Sequence, residues 1–296
     1  MQQYIKLLRI SHWTKNLFLF LPLFFSGKIL ADLPVFFEVA LGFLCFSCSA
    51  SAVYIINDIR DREADSQHPE KKHRPFASGK VSALSGIFIA ALLIIAAIGG
   101  AYLIQTEFAI VLSLYFIINL FYSMGLKHIP ILDITIIAIG FLLRIFAGGA
   151  IAGVPISQWI VVMTFLLAMF LGFAKRRDDV IIFIESGQKM RKSVDGYNLE
   201  FINASMVIMA AVVIVSYLMY TLSEDVTGRF DTQHLYITSI FVILGIIRYL
   251  QITFVQQRSG NPTKILLKDV FIQLVLLGWI AAFFIIIYVN KADIPI

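Results

Sequence analysis

Apolar residues run along this chain in long blocks, without the two-residue alternation of strands. From about residue 16 to residue 289, apolar stretches of about 18 to 23 residues recur, each long enough to cross a hydrocarbon core of about 30 Å as a helix. Nine spans are predicted, at about 16–33, 35–57, 82–104, 107–124, 131–152, 158–175, 201–222, 234–254 and 268–289. The breaks between them are unequal. Those after the second and sixth spans, at about 58–81 and 175–200, are long and charged. Four helices separate these two breaks, the spacing of a duplicated helical unit, although they share little residue identity. Among the breaks on the opposite side of the membrane from these two, only SEDVTGRFDTQH is of any length, and it carries no catalytic grouping.

Composition strengthens the membrane reading. Hydrophobic residues make up 59% of the 296 positions and charged ones 15%, with a mean hydropathy of +0.85. A soluble chain averages about 25% charged. The expectation is one polytopic all-helical domain over residues 1–296, multi-pass in the inner (plasma) membrane, with too little aqueous mass for nucleic-acid binding. The opening MQQYIKLLRISHWTKNLF is basic but lacks a small-residue cleavage site, so it is read as a juxtamembrane segment and not a removed signal. Of the 24 Lys and Arg, only Lys28, Arg229 and Lys291 fall on the side opposite the N-terminus, and only Arg144 and Arg248 fall within spans. That asymmetry orients the N-terminus and the two long breaks to the cytoplasm. The net charge of +5 needs no further partner than anionic inner-leaflet lipid. Cys45 and Cys48 sit inside one apolar block and are read as small buried residues, not as a metal or redox pair.

Chemistry concentrates where the second block ends. NDIRDREADSQHPEKKHRPFASG, from Asn57 to Gly79, places Asp58, Asp61, Glu63 and Asp65 directly after about twenty nearly uncharged residues and follows them with Lys71, Lys72, His73 and Arg74. At about 100° per residue, a helix continuing through Asp65 puts Asp58 at about 100°, Asp61 at 40° and Asp65 at 80° from Asn57, all on one face. Carboxylates held together repel unless a cation joins them. Asn57, Asp58, Asp61 and Asp65 are therefore the candidate metal ligands, for Mg²⁺ with Mn²⁺ as a substitute. Lys71, Lys72 and Arg74 are candidate donors to a pyrophosphate. A solvated, mutually paired loop would also explain the charges, though not their order. Pro69 disfavours helix at His68, so the helix is expected to stop there.

Arg144, inside the fifth predicted span, is expensive in lipid and is expected to face a cavity, a substrate or a paired carboxylate such as Asp133. A transporter would place ionisable groups deep in several spans. Here the other charges collect on one membrane face, which favours an interfacial enzyme. His12, His128 and His234 are isolated and are not read as metal ligands.

Asn57, Asp61 and Asp65 reproduce an NxxxDxxxD motif, and the chain resembles the UbiA superfamily of intramembrane prenyltransferases. Within it, LRISHWTKNLF is similar to the RPxxWxKN opening of the group that transfers phosphoribose to decaprenyl phosphate. The HPEK and RPFASG portions, LLRIFAGGAIAG, FAKRRDD and RYLQITFVQQRSGNPTKILLKDVFIQ resemble further segments of that group, so the likeness covers nearly the full chain. The resemblance implies a nine-helix bundle with cytoplasmic active-site loops and catalytic Asp58, Asp61 and Asp65. It also makes Lys15, in the opening segment, and Tyr122 and Lys127, in a turn similar to YPxxKR, candidate substrate contacts. Lys15 beside Trp13 is equally placed as an interfacial anchor.

One departure matters. Many members carry a second DxxxD motif after the sixth span, where this chain has Lys175-Arg176-Arg177-Asp178-Asp179. A single metal-diphosphate cluster then fits the first loop, and Lys175, Arg176 and Arg177 become candidates for a second anion. The implied reaction moves the 5-phosphoribosyl group of phosphoribosyl diphosphate to a polyprenyl phosphate, with release of pyrophosphate, for cell-envelope glycan precursors. The rivals are a prenyltransferase using a prenyl diphosphate donor and a non-enzymatic transporter. Acceptor chain length stays open, and a homo-oligomer is possible on this reading.

Overall fold

The computed structural model describes residues 2–27, 32–67, 71–187, 192–257 and 262–289, and the description below concerns these. Among them, eight helices are long and apolar enough to cross a membrane. They are α1 (Leu33–Arg60), α2 (Ala83–Ile104), α3 (Thr106–Met124), α4 (Leu132–Ala152), α5 (Gln158–Ser186), α6 (Leu199–Leu222), α7 (Ser239–Phe254, entered through a 3-10 turn His234–Thr238) and α8 (Val270–Phe284). No strand occurs among the described residues.

The stretch expected as the first span departs from the prediction. It is built as a 3-10 helix, Ile10–Phe20, followed by a short α-turn, Leu21–Phe25, and 28–31 lie outside the described residues. Side chains explain its path. Trp13 Nε1 donates to Ser51 Oγ at 3.1 Å, Asn16 Nδ2 donates to Ser47 Oγ at 2.8 Å, and the Phe20 ring meets that of Phe36 at 5.7 Å. Rising numbers on the segment meet falling numbers on α1, so it runs antiparallel to that helix.

The chain forms two compact units. One comprises residues 1–127 and 139–156, the other 128–138 and 157–296, so α4 contributes its first residues to the second unit and the rest to the first. In the first unit, Leu19, Leu23, Phe46, Phe108, Leu112 and Leu143 close a core. Small residues let helices approach there, as membrane helices commonly require. Gly100 faces the Cys45 thiol, and a Cβ at Gly148 would collide with the backbone oxygen of Leu19. Both cysteines are free, half-buried packing residues. In the second unit Gly172 receives the Ile134 side chain, and Trp279 Nε1 donates to Tyr217 Oη at 2.7 Å.

Candidate active site

The carboxylate face forms because α1 scarcely ends. The Asp61 amide donates to Asn57 O at 2.9 Å and the Asp65 amide to Asp61 O at 2.8 Å, so helical spacing persists into the turn Arg62–Ser66. The expected stop at Pro69 cannot be placed, since 68–70 lie outside the described residues. Beyond them, Pro75, Phe76 and Val81 are buried, and Phe76 lies in one apolar cluster with Ile55, Ala90 and Leu7. This plug fixes the basic arm. Arg74 Nη1 reaches Asp65 Oδ2 at 2.6 Å and Asp58 Oδ1 at 3.1 Å.

Asp58 has a second cation that the sequence reading did not single out. Arg9 Nη2 lies 2.6 and 2.8 Å from its two carboxylate oxygens, and the guanidinium carbon stands 5.0 Å from the Tyr54 ring centroid. Arg9 occupies the left-handed region (φ 48°, ψ 49°) between the helix Gln2–Leu8 and the 3-10 segment, a conformation uncommon for a non-glycine residue. Buried Leu7 anchors the turn. The available signal was Arg9's position as the first residue of the RPxxWxKN-like segment.

Asp61 takes a different cation. Lys127 Nζ stands 2.6 and 2.8 Å from the Asp61 oxygens and 3.0 Å from Asn57 Oδ1, while Asn57 Nδ2 donates to Asp61 Oδ2 at 3.0 Å. Acidic and basic groups thus alternate around the rim. Asp65 and Lys127 are both buried. Lys71 and Tyr122 are half-buried, and Lys72 is exposed. Among the described residues no three His, Cys, Asp or Glu side chains converge on a single point. The donor chemistry nevertheless suits a hard divalent ion: carboxylates and an amide oxygen, with three oxygens already converging on one cationic nitrogen.

The KRRDD stretch does not lie in a loop. The apolar run VIIFI continues past it, and α5 extends to Ser186, where Gly187 closes it in the left-handed conformation (φ 70°). Arg176 is 1% exposed, with Nε 2.6 Å from Asp133 Oδ2 and Nη1 3.0 Å from Asp179 Oδ2. Ser193 and Tyr197 complete the shell of fully buried Asp133, donating at 3.0 and 2.7 Å. Burial, together with the donated bond to Asp133, pushes the Tyr197 phenol well above its ordinary range. Arg177 Nε donates to Asn203 Oδ1 at 2.9 Å, its guanidinium faces the Phe254 ring, and Nη1 has no partner among the described residues. Lys175 is exposed.

Arg144 is buried, and among the described residues no carboxylate pairs with it. Nε donates to Asn16 Oδ1 at 2.8 Å, Nη1 to Gly140 O at 2.6 Å and Nη2 to Tyr115 Oη at 3.1 Å, with the Phe46 and Tyr115 rings each 4.9 Å from the guanidinium carbon.

The model of the UbiA prenyltransferase family matches residues 17–275. This chain belongs to that family. Relatives include the decaprenyl-phosphate phosphoribosyltransferase of Mycolicibacterium smegmatis, 33% identical over 295 residues, covering 96% of this chain and 92% of that protein. The protein of the same name from Corynebacterium glutamicum is 32% identical, covering 96% and 86%. A solved UbiA homologue from Archaeoglobus fulgidus, bound to GPP and Mg²⁺, superposes with a TM-score of 0.72 at 20% identity, over 96% of this chain and 99% of that one. This last likeness concerns the fold. UbiA membership agrees with the NxxxDxxxD reading.

Proposed function

We propose that this chain is a membrane-bound transferase that moves the 5-phosphoribosyl group of phosphoribosyl diphosphate to a polyprenyl phosphate. The observation that carries the reading is the rim at the end of α1, where Asn57, Asp58, Asp61 and Asp65 alternate with Arg9, Arg74 and Lys127. Acids for a divalent ion and bases for phosphates there occupy one surface. The choice of sugar donor over prenyl donor rests on near full-length similarity to relatives carrying that activity in their names, and on Lys175-Arg176-Arg177 standing where DxxxD is common.

Asn57, Asp58, Asp61 and Asp65 would hold Mg²⁺, with Mn²⁺ as a substitute. The ion supplies electrostatic stabilisation of the diphosphate as it departs. Lys127, Arg74 and Arg9, which neutralise these carboxylates in the free protein, turn to the incoming phosphates. Lys71 and Lys72 extend that basic arm, and Tyr122 borders it. The acceptor phosphate is ionised at neutral pH, so positioning, not base catalysis, supplies much of the rate. Arg177, with a partnerless Nη1, is a candidate for the acceptor phosphate along with exposed Lys175. Arg176 serves in the Asp133 ion pair.

The rim is proposed to face the cytoplasm across the inner membrane, following the distribution of Lys and Arg. The antiparallel segment would make a ninth passage. Eleven 3-10 residues at about 2.0 Å and five α residues at about 1.5 Å reach about 30 Å, a hydrocarbon thickness.

The deciding experiment supplies purified protein, Mg²⁺, phosphoribosyl diphosphate and polyprenyl phosphates, and identifies the lipid product by mass. A phosphoribosylated lipid supports the reading. Consumption of labelled prenyl diphosphate with the sugar donor ignored would replace it by prenyl transfer, and flux across liposomes without turnover would replace it by transport.

A further inference from the structure

The arm that carries Arg74 is seated in the first unit by one aromatic ring. From Lys71 to Lys80 only Pro75 and Phe76 are buried, while Lys72, His73, Ser78, Gly79 and Lys80 are exposed. Phe76 is 6% exposed and lies in the apolar cluster of Leu7, Ala52, Ile55, Val81 and Ala90. Its seat on α2 is Gly86, where a Cβ would collide with the far edge of the ring and crowd Ile59 Cδ1. The space left by the absent side chain is the space the ring fills.

Backbone bonds turn the arm into a clasp around that ring. The Ser78 amide donates to Arg74 O at 2.9 Å, the Gly79 amide to Phe76 O at 3.1 Å and the Val81 amide to Pro75 O at 3.2 Å. Gly79 closes the turn at φ 70°, a conformation glycine adopts without steric cost. Arg74 stands two residues from the ring, and its Nη1 reaches Asp65 Oδ2 at 2.6 Å and Asp58 Oδ1 at 3.1 Å. A guanidinium on a flexible stem follows the backbone that carries it, and here the seated ring fixes that backbone. The same cluster holds Leu7, two residues before Arg9, whose Nη2 lies 2.6 Å from the same Asp58 oxygen. One apolar seat thus sets both guanidinium groups that meet on Asp58.

We propose that Phe76, seated over Gly86, is a positioning residue for the transfer reaction, holding Arg74 where its guanidinium meets the diphosphate of the donor. The ring acts through Arg74 and touches no substrate. This inference rests on the transferase reading, which gives Arg74 the donor phosphates. Size is the test of such a seat. Gly86→Ala puts a methyl group into it, and a rigid ring in a close-packed cluster has no room to turn aside, so Phe76 is expelled with the arm. Adding Phe76→Leu removes the ring edge that the methyl meets and reseats the arm.

The experiment uses full-length protein in detergent. Hydrogen exchange of the amides in 74–81 is followed by mass spectrometry, and binding of magnesium pyrophosphate by calorimetry. Gly86→Ala should speed that exchange, weaken pyrophosphate about tenfold and raise the KM for phosphoribosyl diphosphate by a similar factor, with kcat within about twofold. The double variant with Phe76→Leu should recover most of both losses. In an Arg74→Met background, Gly86→Ala should leave pyrophosphate affinity unchanged, a result that general loosening of the bundle would not give. Should Gly86→Ala fail to fold by circular dichroism, Phe76→Ala empties the seat without adding bulk and is read by the same quantities. Wild-type exchange and affinity in Gly86→Ala, or a double variant as weak as the single one, overturns the positioning role. A wild type that forms no phosphoribosylated lipid overturns the transferase reading, while pyrophosphate affinity lost in Gly86→Ala and regained in the double variant still leaves Phe76 holding Arg74 for a diphosphate.

Discussion

The ammonium of Lys127 bridges both carboxylate oxygens of Asp61, at 2.6 and 2.8 Å, although the two residues are 66 positions apart in sequence. A lysine there competes with any divalent ion for the same oxygens, and Asn57 Oδ1 at 3.0 Å adds a third. Two opposite unit charges about 4 Å apart interact by about 4 kcal/mol at an effective dielectric near 20, so a cation removed from this point is felt strongly.

Replacing Lys127 with Met is accordingly expected to act in two directions. Without sugar donor, the variant should bind Mn²⁺, followed by electron paramagnetic resonance, roughly tenfold more tightly, a modest share of the Coulomb energy. With donor present, its KM for phosphoribosyl diphosphate should rise, because the same ammonium is then missing from the phosphates. Unchanged metal affinity would show that Lys127 does not guard the Asp61 oxygens.

Arg9 and Asp58 are expected to behave as a coupled pair. Arg9→Met removes a two-point charged contact from a carboxylate only 5% exposed, and charge-assisted bonds of this kind are worth about 1.5–3 kcal/mol. Because 18% of the Arg9 side chain is exposed, solvent screening places the expectation at the lower end. A double-mutant cycle with Asp58→Asn, read by thermal melts in detergent, should return a coupling of about 1 kcal/mol or more. Additive effects would leave Arg9 as a bystander.

Arg176 and Asp133 invite the opposite design. Removing either partner of an ion pair with side-chain exposures of 1% and 0% strands a charge, at a cost of about 3–5 kcal/mol. Arg176→Met and Asp133→Asn should each lower the melting temperature sharply, and the double variant should recover much of the loss. If Arg176→Met melts like wild type and loses only lipid-phosphate affinity, the guanidinium belongs to the substrate after all.

These three relationships mark the limit of what the sequence could reveal. The face shared by Asn57, Asp58, Asp61 and Asp65 was legible because local i to i+4 bonding fixes helical angles, and that bonding continues through Asp61. Eight of the nine predicted spans, those that form membrane-length helices among the described residues, were legible from length and apolarity. The partners were not, since contact across 49 positions for Arg9 and Asp58, or 43 for Arg176 and Asp133, depends on the whole packing. The 3-10 path of Ile10–Phe20 escaped for another reason: an apolar run looks the same whether its backbone closes three-residue or four-residue turns. Charge alone suggests a loop at the KRRDD stretch, yet helix propensity and the apolar residues beyond it carry α5 through.

Arg144 gives the last prediction. It is 5% exposed, and its guanidinium donates to Asn16 Oδ1, Gly140 O and Tyr115 Oη. Arg144→Met takes that donor from buried oxygens, and a buried polar group left unsatisfied costs about 1–3 kcal/mol. The variant should therefore melt a few degrees or more below wild type in detergent. Melting at the wild-type temperature would show that these three bonds add nothing to the stability of the fold.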